Sequence, residues 1–232
     1  MIIEQIGNAK LITSDNVRAI KTFDDDCIDL TVTSPPYDNL RAYNGFAWDF
    51  EALAKDLYRV TKPGGVVVWV VGDATIKGSE TGTSFRQALF FKDVCGFNLH
   101  DTMIYSAKKP PLTHNRYEQS FEYMFILSKG KPKTFNPLLR ENLSFGQKNS
   151  FASNNAASAK EIGSTQGGKQ GKTYTARNIT SIKGNVWHYN VGNNCSTLDK
   201  IAFQHPAIFP EQLASDHILS WSNEGDMVLD PF

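Results

Sequence analysis

Three apolar runs, each stopped by a polar side chain, constrain this chain more than any other feature. In DLTVTSPPY, Leu30 and Val32 alternate with Thr31 and Thr33, the period of a β-strand, until the run meets Ser34, Pro35, Pro36 and Tyr37. VVVWVVGD is apolar at every position before Gly72 and Asp73, as expected of a strand covered on both faces of a parallel sheet. DMVLDPF repeats the buried-strand pattern and stops at Asp230, with Pro231 and Phe232 behind it. Such strands belong in a sheet flanked by helices, and open sheets of that class bind ligands at the carboxyl ends of their strands. Ser34, Asp73 and Asp230 are therefore expected at one edge, their strand ends converging.

The segments between supply further elements. AKLITSD reads as a strand, followed by Asp15 and a short helix near residues 16–22. DFEALAKDLYRV places Phe50, Leu53, Leu57 and Val60 at helical spacing behind Asp49, a natural N-cap, and KPGG ends that helix. A helix is expected near 84–94, after the Gly-rich IKGSETGTS, and NLHDTMIYS and FEYMFILSK read as two more strands. NVWHYNV is a further strand candidate, and HPAIFPEQLASDHILSW reads as a helix opening near Pro210. The order of strands and helices indicates a doubly wound α/β domain.

With 232 residues, 41% of them apolar, the chain has room for one large α/β domain or a domain plus an insert. Its zero net charge hides an asymmetry. Residues 130–200 hold ten Lys and Arg against three Asp and Glu, and the rest is acidic by the same margin. A basic segment of this kind suits a polyanion, although a solvated basic loop has the same composition. Residues 141–185 are rich in Ser, Asn, Gly, Gln and Lys, and are expected to be mobile without a partner. No run of 18 apolar residues exists, and MIIEQIGNAK lacks the build of a signal peptide. Cys27, Cys95 and Cys195 lie far apart with no ligand spacing, which fits a reducing cytoplasm and neither a disulfide framework nor a metal site.

The end of the first run has a chemistry of its own. Two consecutive prolines fix φ and carry no N–H, so their carbonyls are rigid, pure acceptors. A serine hydroxyl both accepts and donates, and a tyrosine ring offers a stacking face. Acceptors beside a stacking ring suit a planar group bearing an amine, such as a base flipped out of a nucleic-acid duplex. An isolated Pro-Pro-Tyr would also serve as a plain turn with a packed ring.

TSPPY resembles the catalytic motif IV of the amino-group DNA methyltransferases, which methylate cytosine N4 or adenine N6 with S-adenosylmethionine. The likeness extends through SDNVRAIKTFDDDCIDLTVTSPPY, LYRVTKPGGVVVWVVGD and RYEQSFEYMFILSKG, and HPAIFPEQLASDHI and VLDPF resemble the cofactor motifs X and I. Catalytic motif first, recognition region in the middle and cofactor motifs last is the order of the β-class. The resemblance covers nearly everything outside residues 140–185.

It implies a Rossmann-like α/β sheet with an inserted target-recognition region. Residues 1–129 would form the catalytic part, 130–200 the basic, partly mobile recognition region, and 201–232 the start of the cofactor part. Ser34, Pro35, Pro36 and Tyr37 take the catalytic positions. Hydrogen bonds from the amine to Ser34 Oγ and the Pro35 carbonyl would localise the nitrogen lone pair, while Tyr37 stacks on the base. Asp15, His205, Phe209, Asp230, Pro231 and Phe232 match cofactor-contacting positions, and Asp15 reads equally well as a helix N-cap. Lys108, Arg116, Lys169, Lys172 and Arg177 are the candidate DNA contacts. The implied partner is double-stranded DNA, with a cognate restriction endonuclease and a homodimer left open, and no membrane. Serine at the head of the motif follows the cytosine-N4 pattern, with adenine N6 as the alternative. In this family motif I runs on past Asp-Pro-Phe into a Gly-rich turn, a helix and an acidic strand end. A chain that stops at Phe232 therefore reads as cut short, with little methylation expected by itself. An inactive or split fragment that binds DNA is the reading from another class. A protein-glutamine or RNA methyltransferase also carries Pro-Pro-Tyr, but the order of motifs argues against it.

Overall fold

The computed structural model describes residues 1–37, 48–106, 117–146, 148–150, 173–175, 178–191, 196–199, 201–202, 208 and 210–232. The chain divides into two compact units, one of Met1–Asn136 with Gly184–Phe232 and the other of Pro137–Lys183.

The larger unit opens with a hairpin of β1 (Ile2–Ile6) and β2 (Ala9–Thr13), then α1 (Asn16–Ile20). β3 (Ile28–Thr33), α2 (Phe50–Val60) and β4 (Thr61–Val71) follow, and a small hairpin of β5 (Thr75–Ile76) and β6 (Ser79–Glu80) leads to α3 (Thr83–Phe90). α3 continues into a π-helical turn at Phe91–Cys95 before β7 (Asn98–Ser106) and β8 (Phe121–Ser128). The smaller unit pairs β9 (Leu139–Glu141) with β12 (Thr180–Ile182), and β10 (Lys148–Ser150) with β11 (Thr173–Thr175). β13 (Val186–His188), α4 (Glu211–Trp221) and β14 (Val228–Leu229) return to the larger unit.

Among the described residues, six strands form one sheet in the order β13-β7-β8-β4-β3-β14. β14, β3 and β4 are mutually parallel, and β13 is parallel to β7. β8 runs antiparallel to both β4 and β7, so β4, whose apolar run was expected in a parallel sheet, stands in a mixed one. A second correction concerns the N-terminus: the strand seen in AKLITSD belongs to a separate, largely exposed two-stranded hairpin, not to the central sheet.

β4 is buried along its apolar length because both faces of the sheet are covered. Val67, Trp69 and Val71 join Leu53, Leu57 and Val60 of α2 and Phe91 in one core cluster. Alternation sends Val66, Val68 and Val70 to the other face, where they too are buried. α4, with Leu213 and His217 fully buried, packs on β3.

The KPGG segment does more than end α2. Between the Ile28↔Thr61 and Leu30↔Val66 pairs, Lys62–Gly65 bulges out of the β3–β4 ladder. A Cβ on Gly65 would lie 2.8–2.9 Å from Thr61 Cγ2 and from the carbonyl oxygens of Asp29 and Lys62. Only glycine fits there. β14 is secured beside β3 by Asp29, whose N–H bonds to the Met227 carbonyl at 3.0 Å and whose carboxylate accepts from Met227 N–H at 2.9 Å.

Candidate active site

The three runs singled out in the sequence become β3, β4 and β14, and their carboxyl ends lie side by side. Thr33 pairs with Trp69 of β4, and Thr31 with Leu229 of β14. Ser34, Asp73 and Asp230 thus emerge at one edge, as the runs implied.

Each position is held differently. Thr33, fully buried, donates its hydroxyl to Asp230 Oδ1 at 2.7 Å, and Phe232 N–H donates to the same oxygen at 3.2 Å. Protein surrounding the Asp230 carboxyl group pushes its pKa above the ordinary carboxylate value, while these two donors pull it back. The Phe232 ring stands edge-on to Trp48, with centroids 5.1 Å apart, and also meets Trp69. Trp69 Nε1 in turn donates to Gln87 Oε1 of α3 at 2.9 Å. Asp73 accepts from Ser84 N–H at 2.9 Å, from the Ser84 hydroxyl, and from Thr81 Oγ1 at 3.2 Å. α3 opens at Gly82, which has no side chain to cap with, and Asp73 supplies the missing acceptor.

In the Ser-Pro-Pro-Tyr segment, Pro35 is buried and Ser34, Pro36 and Tyr37 are half-buried. Ser34 Oγ donates to the Tyr37 hydroxyl at 2.9 Å, and that hydroxyl donates to Glu122 Oε2 of β8 at 2.9 Å. The Tyr37 ring lies along the backbone at Gly72, where a Cβ would sit 3.5 Å from its edge. Burial pushes the Tyr37 pKa well above the usual phenol value, and the Glu122 charge adds to the shift. Tyr105, raised by burial and by the same carboxylate, shares this surrounding.

The structure therefore brings Ser34, Pro35, Pro36, Tyr37, Asp230, Pro231 and Phe232 to neighbouring strand ends. Asp15 lies elsewhere in the chain's topology, after the separate hairpin, where its carboxylate caps α1 by accepting Arg18 N–H at 2.8 Å. His205, Phe209, Lys108, Arg116, Lys169, Lys172 and Arg177 lie outside the described residues. Sequence reading passed over Glu122 and Thr33. Glu122 carried a signal, being the one acidic residue in the strand FEYMFILSK, but its partner lies 85 positions away.

A helix-flanked sheet whose parallel strand ends carry Ser-Pro-Pro-Tyr and Asp-Pro-Phe defines an α/β, Rossmann-like S-adenosylmethionine-dependent methyltransferase. Residues 28–232 match the N6/N4 DNA methylase family, and the chain belongs to it. It is a DNA methyltransferase of the amino-group class, and its family uses S-adenosylmethionine as methyl donor. Over 211 residues it is 58% identical to the orphan methyltransferase M.BamHII of Bacillus amyloliquefaciens, a match covering 89% of this chain and 77% of that one. It is 27% identical to the type II methyltransferase M.HpaI of Haemophilus parainfluenzae, over 96% of this chain and 63% of the relative. The fold is similar to that of the cytosine-N4-specific PvuII DNA methyltransferase, with a TM-score of 0.62 and 17% identity over 94% of this chain and 71% of that one. Among the described residues, no helix is long and apolar enough to cross a membrane.

Proposed function

We propose that this chain methylates the exocyclic N4 of cytosine in double-stranded DNA, using Ser34, Pro35, Pro36 and Tyr37 around a flipped base. The observation that carries the reading is the position of Ser34. It heads the motif at the end of β3, between the ends of β14 and β4, and serine rather than aspartate at that point is the family's cytosine-N4 pattern. Ser34 Oγ and the Pro35 carbonyl accept the two amine hydrogens and favour a pyramidal nitrogen with a localised lone pair. The half-buried Tyr37 ring, held by its hydroxyl, offers a face for the base. Positioning of this kind supplies much of the rate of a direct displacement.

The strand-end residues fit S-adenosylmethionine. Phe232 is a partly exposed ring braced by Trp48, and Asp230 offers a carboxylate that Thr33 holds in place. Asp230, Pro231 and Phe232 would hold the cofactor, with His205, Phe209 and Asp15 as further contacts from the family pattern. When bound, the cofactor supplies an electrophilic methyl group.

Residues 130–200 serve as the recognition region in this reading. Their excess of basic residues supports phosphate contacts by Lys169, Lys172 and Arg177, joined by Lys108 and Arg116. The 58% identical relative bears the name orphan methyltransferase, which supports a chain that works without a dedicated endonuclease. Sedimentation of the purified protein tests the homodimer left open by the sequence. Nucleoside mass spectrometry of DNA from cells expressing this chain tests the chemistry. N4-methylcytosine is expected, N6-methyladenine would overturn the choice of base, and no methylated base would favour the reading of a DNA-binding fragment.

A further inference from the structure

We infer that Glu122, which need not touch the substrate, makes Ser34 Oγ an obligatory acceptor and so selects a base bearing an amine over one bearing a carbonyl. The inference rests on the reading above, in which Ser34 faces the exocyclic group of the flipped base.

The argument is a count of protons. A carboxylate only accepts hydrogen bonds. The Tyr37 hydroxyl, 2.9 Å from Glu122 Oε2, must therefore donate its single proton to Glu122. Toward Ser34, also 2.9 Å away, it has only lone pairs left, so Ser34 must donate its own single proton inward to Tyr37. What Ser34 Oγ then presents outward is lone pairs alone. An amine N–H meets an acceptor there. A carbonyl oxygen, as on thymine, uracil or guanine, meets a lone pair and is left unpaired. Discrimination between hydrogen-bonding and non-bonding analogues is strong in a site built this way, because the mismatched group stays desolvated without a partner.

Two features make the direction robust. Tyr37 is half-buried with its ring along the Gly72 backbone, so its hydroxyl is not free to swing to solvent. Glu122 stands on β8 opposite Tyr105 of β7, one residue before Tyr123, which pairs with Val71 of β4, so the ladder fixes its backbone. The two partners are 85 residues apart, so only the assembled sheet sets this polarity. Glu122 is a positioning residue. Its amide variant, Glu122→Gln, has the same shape but can donate an N–H to Tyr37. That reverses the chain and turns the Ser34 proton outward.

The test uses duplexes carrying the sequence found methylated in expressing cells, with either the target cytosine or uracil, its carbonyl counterpart, at that position. The parent protein should bind the cytosine duplex at least about tenfold more tightly than the uracil duplex, the scale of one buried, charge-assisted hydrogen-bond polarity. Glu122→Gln should erase or invert that ratio and lower the rate of methyl transfer about tenfold or more, with DNA affinity outside the target base unchanged. In a Tyr37→Phe background, where the relay is already cut, adding Glu122→Gln should change neither quantity further. A merely structural role for Glu122 would shift both affinities together and leave their ratio intact. Independently of turnover, resonance Raman difference spectra against Tyr37→Phe should show Tyr37 as a hydrogen-bond donor in the parent and as an acceptor in Glu122→Gln. If Ser34→Ala lowers the rate and flattens the cytosine preference while Glu122→Gln does neither, or if Tyr37 remains a donor in Glu122→Gln, this inference is wrong and the site assignment stands. If Ser34→Ala itself keeps the parental rate and preference, the site assignment has failed, and this inference with it.

Discussion

Two threonines on one strand, carrying the same substitution, should move stability in opposite directions. Thr31 and Thr33 both lie on β3, are both fully buried, and project from the same face two residues apart. Thr33 donates its hydroxyl to Asp230 Oδ1 at 2.7 Å and so ties the end of β3 to the end of β14. Thr31 Oγ1 has no hydrogen-bond partner among the described residues. Valine matches threonine in shape, so replacing either one changes mainly the hydroxyl. A hydrogen bond to a charged group contributes about 1.5–3 kcal/mol, and the exposed edge position of Asp230 lowers that, leaving a loss of about 1–2 kcal/mol for Thr33→Val. A buried, unpaired hydroxyl costs about 1–3 kcal/mol on mutational scales, so Thr31→Val should gain roughly 1 kcal/mol. In a protein of this size, 1 kcal/mol moves Tm by about 2–4 °C. Thermal unfolding followed by tryptophan fluorescence should therefore place Thr33→Val about 2–8 °C below the parent and Thr31→Val about 2–4 °C above it. Thr33→Val should also weaken S-adenosylmethionine binding in calorimetry, because Asp230 loses its anchor, whereas Thr31→Val should not. Shifts of the same sign in the two variants, or an unmoved Thr33→Val, would refute the assignment of β3 and β14 as a hydrogen-bonded strand-end pair.

Other perturbations test the same geometry. Gly65→Ala should cost at least about 2 kcal/mol in urea unfolding, because two of the three atoms its methyl would strike are backbone oxygens; a neutral variant would deny the bulge at Lys62–Gly65. Asp73→Ala removes the acceptor that caps α3 and leaves the buried Ser84 hydroxyl without it, for about 2–3 kcal/mol in all, while Asp73→Asn, which keeps an acceptor oxygen, should retain most of the stability. The Asp230 pKa is raised by its surroundings, so its charged form disfavours the fold near neutral pH and its neutral form does not. Asp230→Asn should accordingly melt above the parent at pH 7, with the difference closing as pH falls through the Asp230 pKa; a gap that widens on acidification would contradict the shift.

Much of this site was legible before any tertiary contact was known. The apolar runs ending at Ser34, Asp73 and Asp230 are local patterns, and burial on both faces leaves such runs few alternatives to an interior strand. Asp49 behind a helical period capped α2 as expected, accepting Ala52 N–H at 3.0 Å. Asp15 did the same for α1, accepting Arg18 N–H at 2.8 Å. Proline and glycine act on their own backbone, so Pro35, Pro36 and the KPGG segment also announced themselves.

Which strands became neighbours was another matter. β8 separates β7 from β4 and runs against both, a placement that nothing in the local pattern of FEYMFILSK specifies. That placement brings Glu122 to Tyr37 across 85 residues, and the pairing of β14 with β3 brings Asp230 to Thr33 across 197. Sequence alone determined the conformation of each segment and the chemistry it carried, since periodicity, capping and proline act within a few residues. Tertiary structure alone decided the partners of the site side chains, since strand order comes from long-range packing of apolar faces, and the polar contacts at the strand ends follow from it.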